Sequence, residues 1–315
     1  MEEMIKLNES KGSQVTEFIL MGITNNPEMK GPLFVVFLLN YMATALGNLG
    51  LIILTSVDSH LQNPMYFFLR HLAYVDLGYS TAIGPKMLVS FIVEKNTISY
   101  NECATQLVFF GVFITSELFI LSAMAYDRYV AICKPLLYII IMSNRVCWVL
   151  VVIPYLYSIM VSLLVTIKIF NSSFCASNVI RQFYCDSVPP LYIICSDISE
   201  IKLIIMIFSA LNLISSLSIV LVSYLLIIVA ILRMSSSEGR YKAFSTCGSH
   251  LTVVIVFYAT LLFMYLQPRS RNSFDTEKIA TVFYTLVIPM LNPLIYSLRN
   301  KEVKGALKRV FQKLK

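Results

Sequence analysis

The 315-residue chain is 57% hydrophobic and only 14% charged, with a mean hydropathy of +0.73, a balance that excludes an ordinary soluble domain and points to a membrane protein. The net charge of +7 does not mark a nucleic-acid binder, because Arg299, Lys301, Lys304, Lys308, Arg309, Lys313 and Lys315 crowd the C-terminus as a juxtamembrane segment facing anionic lipid. Histidines 60, 71 and 250 lack metal-like spacing, and neither a Gly-rich phosphate loop nor a nucleophile–base motif is present, so no enzymatic reading is supported.

Residues 1–30 are polar and mixed in charge, without the basic start and short apolar core of a cleavable signal, so the first helix is expected to direct insertion. A spanning helix needs about 20 mostly apolar residues. Seven such runs are predicted at Leu33–Thr55, Pro64–Ile92, Cys103–Cys133, Arg145–Val165, Lys202–Leu232, Arg240–Leu266 and Lys278–Leu298. The expectation is an all-α membrane protein: an N-terminal segment over 1–30, a seven-helix bundle over 31–299, and a tail over 300–315. In that tail Val303, Leu307, Val310, Phe311 and Leu314 recur at helical spacing among lysines, which reads as an amphipathic helix lying on the membrane.

The connections after helices one, three and five hold Lys134, Arg145, Arg233, Arg240 and Lys242 against Asp58 and Glu238. The positive-inside rule makes that side, and the tail, cytoplasmic, and places the N-terminus outside. Two glycosylation acceptors, Asn8-Glu9-Ser10 and Asn171-Ser172-Ser173, then both fall on the outer side. So do Cys103, Cys175, Cys185 and Cys195, an even number where disulfides persist, with three pairings open. Cys133, Cys147 and Cys247 lie at the inner side and read as small buried hydrophobes. Trp148 reads as an interfacial or packing residue.

Three stretches carry chemistry. Asp127-Arg128-Tyr129 closes an apolar run in which Glu117 is the one ionisable residue from Leu107 to Ala125. An acid directly before that border arginine is not needed for anchoring, and such a pair is bistable because opening it frees a guanidinium. Asp76 and Glu117 are mid-membrane carboxylates, which need a cation, a proton or donors. Asn48 is an amide in hydrocarbon and is expected to face the bundle. Pro289-Met290-Leu291-Asn292-Pro293-Leu294-Ile295-Tyr296 combines backbone-donor loss with a buried Asn and Tyr, a kink that can move. A transporter or channel using Asp76 and Glu117 is the alternative, but no internal repeat or polar stripe through several helices supports it.

The segment MAYDRYVAICKPLLY resembles the D-R-Y region of rhodopsin-like G-protein-coupled receptors in the form found in vertebrate odorant receptors. NPMYFFL at 63–69, Ser223-Tyr224, KAFSTCGSH at 242–250, PMLNPLIY at 289–296 and Val15-Thr16-Glu17-Phe18 share that likeness, so it covers most of the chain. The resemblance implies odorant binding, a heterotrimeric G protein of the stimulatory olfactory type that raises cyclic AMP, and no required cofactor. It implies disulfides Cys103–Cys185 and Cys175–Cys195, and coupling roles for Asp127, Arg128, Tyr129, Tyr224, Asn292 and Tyr296. Asp76 matches an acid that helps bind sodium in many such receptors; the other reading, protonated acids hydrogen-bonded to Asn48 and Asn292, stays open. Two departures stand out: Ala259 replaces the glycine of the usual F-Y-G, and Arg240 and Lys242 stand where many receptors present an acid to the D-R-Y arginine. A lock between helices three and six is therefore not expected, which leaves Asp127 and Tyr224 as partners for Arg128.

Inward positions in the outer halves of the helices predict a ligand pocket: Phe110, Gly111, Ile114 and Thr115 on helix three, Phe208, Ser209 and Asn212 on helix five, Tyr258, Leu261, Leu262 and Tyr265 on helix six, Val282 and Thr285 on helix seven, and Ser187 in the loop. This set is apolar and aromatic with a few hydroxyls, one amide and no ionised member, so the ligand is expected to be small, uncharged and mainly hydrophobic. Lys86 is expected to snorkel outward. Helix seven lacks the Schiff-base lysine of an opsin, and Phe110 stands where an amine receptor would need an acid.

Overall fold

A computed structural model describes residues 15–24, 26–175, 178–266, 273–299 and 301–313. It forms a seven-helix bundle: α1 (Pro27–Val57), α2 (Pro64–Val89), α3 (Tyr100–Cys133), α4 (Asn144–Phe170), α5 (Ser199–Arg233), α6 (Ser237–Leu266) and α7. Helix α7 is α-helical over Ser273–Val282, π-helical over Phe283–Val287 and α-helical again over Ile288–Arg299. Helix α8 (Lys301–Lys313) follows. Among the described residues α1, α3, α4, α5 and Lys278–Tyr296 are long and apolar enough to cross a membrane unaided. Helix α2 is interrupted by Arg70, Asp76 and Lys86, and among the described residues α6 contributes a shorter apolar stretch, His250–Phe263.

Helices α1 and α3 start earlier than hydropathy predicts because polar caps lie outside the apolar runs. Asn26 caps α1 by accepting from the Glu28 amide at 3.0 Å, which makes Pro27 the first helical residue and leaves Pro32, the expected starter, inside the helix. Asn63 caps α2 by accepting from the Tyr66 amide, and this helix starts at Pro64 as expected. Ser99 and Glu102 form a reciprocal capping box at the head of α3.

Helix α3 is the central strut, packed against α2, α4, α5 and α6. The outward faces stay apolar, as at Leu39 (65% exposed) and Ile214 (64%), which suits lipid rather than water as the solvent. One end of the bundle carries a small sheet that the sequence reading does not anticipate. Strand β1 (Glu17–Leu20) pairs antiparallel with β2 (Thr97–Ser99) and parallel with β3 (Val179–Ile180). Its alternation drives Phe18 and Leu20 into a cluster with Ile98, Phe170, Ile180 and the disulfide-bonded Cys103 and Cys185. At the opposite end α8 buries Val303 and Ala306 while Leu307 points outward, 47% exposed.

Candidate functional site

At the end of α3 remote from the sheet, Asp127 is fully buried and Arg128 nearly so. Their ion pair is long, 3.5 Å from Arg128 Nη2 to Asp127 Oδ2, because Tyr138 competes for the carboxylate by donating its hydroxyl to Oδ1 at 2.7 Å. Tyr138 begins the one-turn helix Tyr138–Ile141; it closes the D-R-Y stretch, but nothing in its spacing announces the bond. Among the described residues Asp127 provides the one ion pair of Arg128, and Arg128 Nε is buried without a hydrogen-bond partner. Tyr129 lies partly buried beneath Lys134 Nζ, 5.8 Å from its ring centre.

Tyr224, expected as a second partner of Arg128, instead shares a 2.6 Å hydrogen bond with His250 Nδ1, their rings stacked. The imidazole wins because it lies on the facing helix and is itself buried, so each group satisfies the other. Both lie within electrostatic reach of Arg128, as does Tyr296, whose buried hydroxyl has no hydrogen-bond partner among the described residues. The base of the bundle thus gathers α3, α5, α6 and α7 around one guanidinium. Of the inner cysteines Cys147 and Cys247 are buried as expected, whereas Cys133 is half-buried.

Midway along the bundle Asn292 Nδ2 donates to both oxygens of Asp76, at 2.9 and 3.2 Å. Asn48 faces the bundle as expected, but its amide donates to the Pro289 carbonyl at 3.0 Å and to Thr44 O at 2.9 Å rather than to an acid. Proline 293 lacks an N–H, which leaves the Pro289 carbonyl four residues earlier without its usual helical donor and available to Asn48. Glu117 is buried within electrostatic reach of Asp76, and among the described residues its Oε1 has no hydrogen-bond partner. Among the described residues no cluster of three or more His, Cys, Asp or Glu could hold a metal ion.

At the sheet end both implied disulfides are present, Cys103–Cys185 and Cys175–Cys195. The first ties the loop after α4 to α3 and lays Tyr184 over Phe110, ring centres 5.1 Å apart. Tyr79 stacks on Phe110 at 5.6 Å and Tyr284 lies at 6.5 Å. None of these three tyrosines figures among the expected pocket residues. Their side chains converge because the disulfide and the π turn in α7 bring together positions far apart in sequence.

The expected pocket residues divide. Thr115, Tyr258, Leu261 and Thr285 are buried, and Ile114, Phe208, Ser209, Leu262 and Val282 are partly so. Gly111 does not face a ligand space: a Cβ there would come within 2.6 Å of Ser162 Oγ, so it seats α3 against α4. Asn212 accepts at Oδ1 from Tyr157 of α4 at 2.7 Å. Thr285 donates within its own helix to Thr281 O, and the amide and hydroxyl of Ser187 both engage Asp186. Asp186 adds an acid to a region expected to have none. Asn171 is exposed after α4; Asn8 and the side chain of Tyr265 lie outside the described residues.

A family model described as olfactory receptor matches residues 37–314. The chain belongs to the olfactory receptor family. It is 68% identical over 309 residues to human olfactory receptor 8K1, covering 98% of this chain and 97% of that protein. It is 70% identical over 300 residues to human olfactory receptor 8K3, covering 95% and 96%. The crystal structure of squid rhodopsin shares the fold, with a TM-score of 0.70 at 17% identity over 92% of this chain and 87% of that one. The olfactory receptor family binds odorants and couples to G proteins without a cofactor, so the chain is a multi-pass plasma-membrane receptor and not an enzyme. The transporter or channel alternative is not supported.

Proposed function

We propose that this olfactory receptor signals through the stimulatory type of heterotrimeric G protein, raising cyclic AMP when the Asp127–Arg128 pair opens. The bundle over 31–299 carries both sites, with the N-terminal segment outside and the tail on the cytoplasmic leaflet beside anionic lipid. Asn8 and Asn171 then lie on the glycosylated side.

The observation that carries this reading is the state of Arg128. It is nearly buried, its one ion pair is 3.5 Å long, and its Nε is unsatisfied, so little holds the guanidinium once Asp127 turns away. Tyr224, Tyr296 and Asn292 lie on the helices that must shift to expose it. Arg128→Ala is expected to abolish odorant-evoked cyclic AMP while surface delivery stays near wild type; signalling at wild-type strength would overturn the proposal.

The ligand is a small, uncharged, mainly hydrophobic volatile bound over Phe110, with Thr115, Tyr258, Leu261 and Val282 among its apolar surroundings. Asp76 and Glu117, with the unpaired Glu117 Oε1, suit a sodium ion held by the two carboxyls, and protonation of one acid is the competing account.

A further inference from the structure

Beside the Asp127–Arg128 pair a slot of about 320 Å³ lies between α3 and α5. Tyr126 and Tyr129, one helical turn apart, form its α3 wall and bracket the ion pair in sequence. The α5 wall runs over 218–226, about 12 Å at 1.5 Å per residue. On it Ile219, Val222 and Leu226 are 43%, 56% and 43% exposed, so the slot opens on the outward surface of the bundle. That surface is apolar around it, as at Leu221 and Leu225, and is solvated by lipid. Whatever fills the slot therefore comes from the bilayer.

The end of the slot remote from the sheet carries the charge. There Cys133 Sγ donates to the Leu226 carbonyl at 3.7 Å, bringing α3 and α5 together. The next residue, Lys134, is exposed, with its Nζ 5.8 Å from the centre of the Tyr129 ring. Arg233, also exposed, ends α5 on the same side. Among the described residues neither cation has an ion-pair partner, and the hydroxyls of Tyr126 and Tyr129 make no hydrogen bond. An apolar slot along the helices with an unneutralised cation at its membrane-border end matches a lipid that has both an acyl chain and a net negative headgroup. A sterol offers no charge to Lys134, and a zwitterionic lipid offers no net charge.

We propose that the slot between α3 and α5 binds one anionic phospholipid, its acyl chain between Tyr126, Tyr129 and the 218–226 face and its headgroup against Lys134. This rests on the orientation proposed above, which puts Lys134 in the cytoplasmic leaflet where anionic lipid is found. It differs from the basic tail, which meets the lipid surface through charge, in taking a single molecule by chain and headgroup together.

The test titrates dioctanoyl phosphatidylserine and dioctanoyl phosphatidylcholine onto the purified receptor in detergent. Retained lipid is counted by native mass spectrometry, and the rise in unfolding temperature is the second readout. The wild type is expected to retain one phosphatidylserine at a concentration about fivefold or more below that needed for phosphatidylcholine. Lys134→Gln is expected to bring the two lipids to within about twofold of each other. Val222→Trp, at an exposed position where a larger ring enters the slot and not the core, is expected to abolish retention of that lipid. Lys304→Gln/Lys308→Gln in the tail is expected to leave it in place. A phosphatidylserine with a diazirine on its acyl chain is expected to label 126–134 or 218–226. Equal retention of the two lipids by the wild type, a preference unchanged in both slot variants, labelling confined to 301–313, or retention of cholesterol in place of either phospholipid would overturn the proposal. If phosphatidylserine fills the slot but an epitope tag on the tail proves accessible outside intact cells, the site stands and the orientation fails.

Discussion

Removing the Cys103–Cys185 bridge gives a measurable prediction whose size depends on what the membrane does to the unfolded chain. The bridge closes a sequence separation of 82 residues, and Cys175–Cys195 closes 20. In the chain-entropy account a random coil would assign the two about 4.5 and about 3.3 kcal/mol. The separation of 82 is not coil, however, because α3 and α4 lie within it. Backbone groups exposed to hydrocarbon cost several kcal/mol each, so both helices persist when tertiary packing is lost. The freedom removed by the cross-link then comes mainly from residues 171–185, a length for which the same relation gives about 3 kcal/mol. The two bridges should therefore contribute nearly equally. The assay compares chemical unfolding of the purified Cys103→Ser/Cys185→Ser and Cys175→Ser/Cys195→Ser receptors, with surface delivery in cells as a second readout. A long-bridge cost exceeding the short one by more than about 1 kcal/mol would refute helix persistence, and normal delivery and stability of both variants would refute a stabilising role for the disulfides.

The acids in mid-bundle separate two accounts: if Asp76 and Glu117 share a sodium ion, Asp76→Asn and Glu117→Gln should each change the sodium dependence of the odorant response, and no change in either would favour protonation. At the end remote from the sheet Arg309 donates to Asp58 Oδ2 through Nε at 2.9 Å and Nη2 at 2.8 Å, while Tyr66 of α2 donates to Glu302 at 2.7 Å, clamping α8 to the turn after α1 and to the head of α2. The His60 amide, with Arg309 and the His60 ring adding to it, holds the Asp58 carboxyl below its usual range. A depressed carboxyl pKa contributes stability above the unfolded value that is lost as pH falls through the folded one; the His60 amide acts within the turn, and the Arg309 part of that contribution favours the docked helix. Asp58→Asn should loosen α8, read as faster amide exchange over 301–313, and exchange equal to wild type would remove the clamp.

Much of the architecture is legible in the sequence because burial in lipid demands long apolar runs, and because rare polar residues inside them have few places to go. Asn48, Asp76 and Asn292 illustrate this: each had to face the bundle, and each does. Their partners are less legible. Asn48 could not be assigned to the Pro289 carbonyl, because that acceptor exists through a proline four residues on in a helix 241 positions away. The sheet was missed for a different reason. Strands of two to four residues carry too little alternation to register, and Phe18 matters through tertiary contact with Tyr100, Phe170 and Phe174.

The ligand region shows where helical periodicity stops being informative. In a soluble helix an apolar stripe marks the buried face by contrast with polar neighbours. In this bundle the lipid face is as apolar as the interior, so spacing on α3 and α5 selects a rotational setting without saying whether a position meets a cavity or a neighbouring helix. Gly111 and Asn212 both fall on the chosen faces and both turn out to contact α4. Small and amide side chains are the ones that lipid-embedded helices use to approach one another, because packing and interhelical hydrogen bonds replace the missing hydrophobic drive. A Gly or Asn on such a face therefore carries weight for helix contact first. Tyr184 and Tyr284 are illegible for the complementary reason: one lies in a loop and the other inside the π turn, where a 3.6-residue period cannot point to it. The disulfide does what periodicity could not, fixing the loop over Phe110 and bringing Tyr184 to within 2.7 Å of Tyr284.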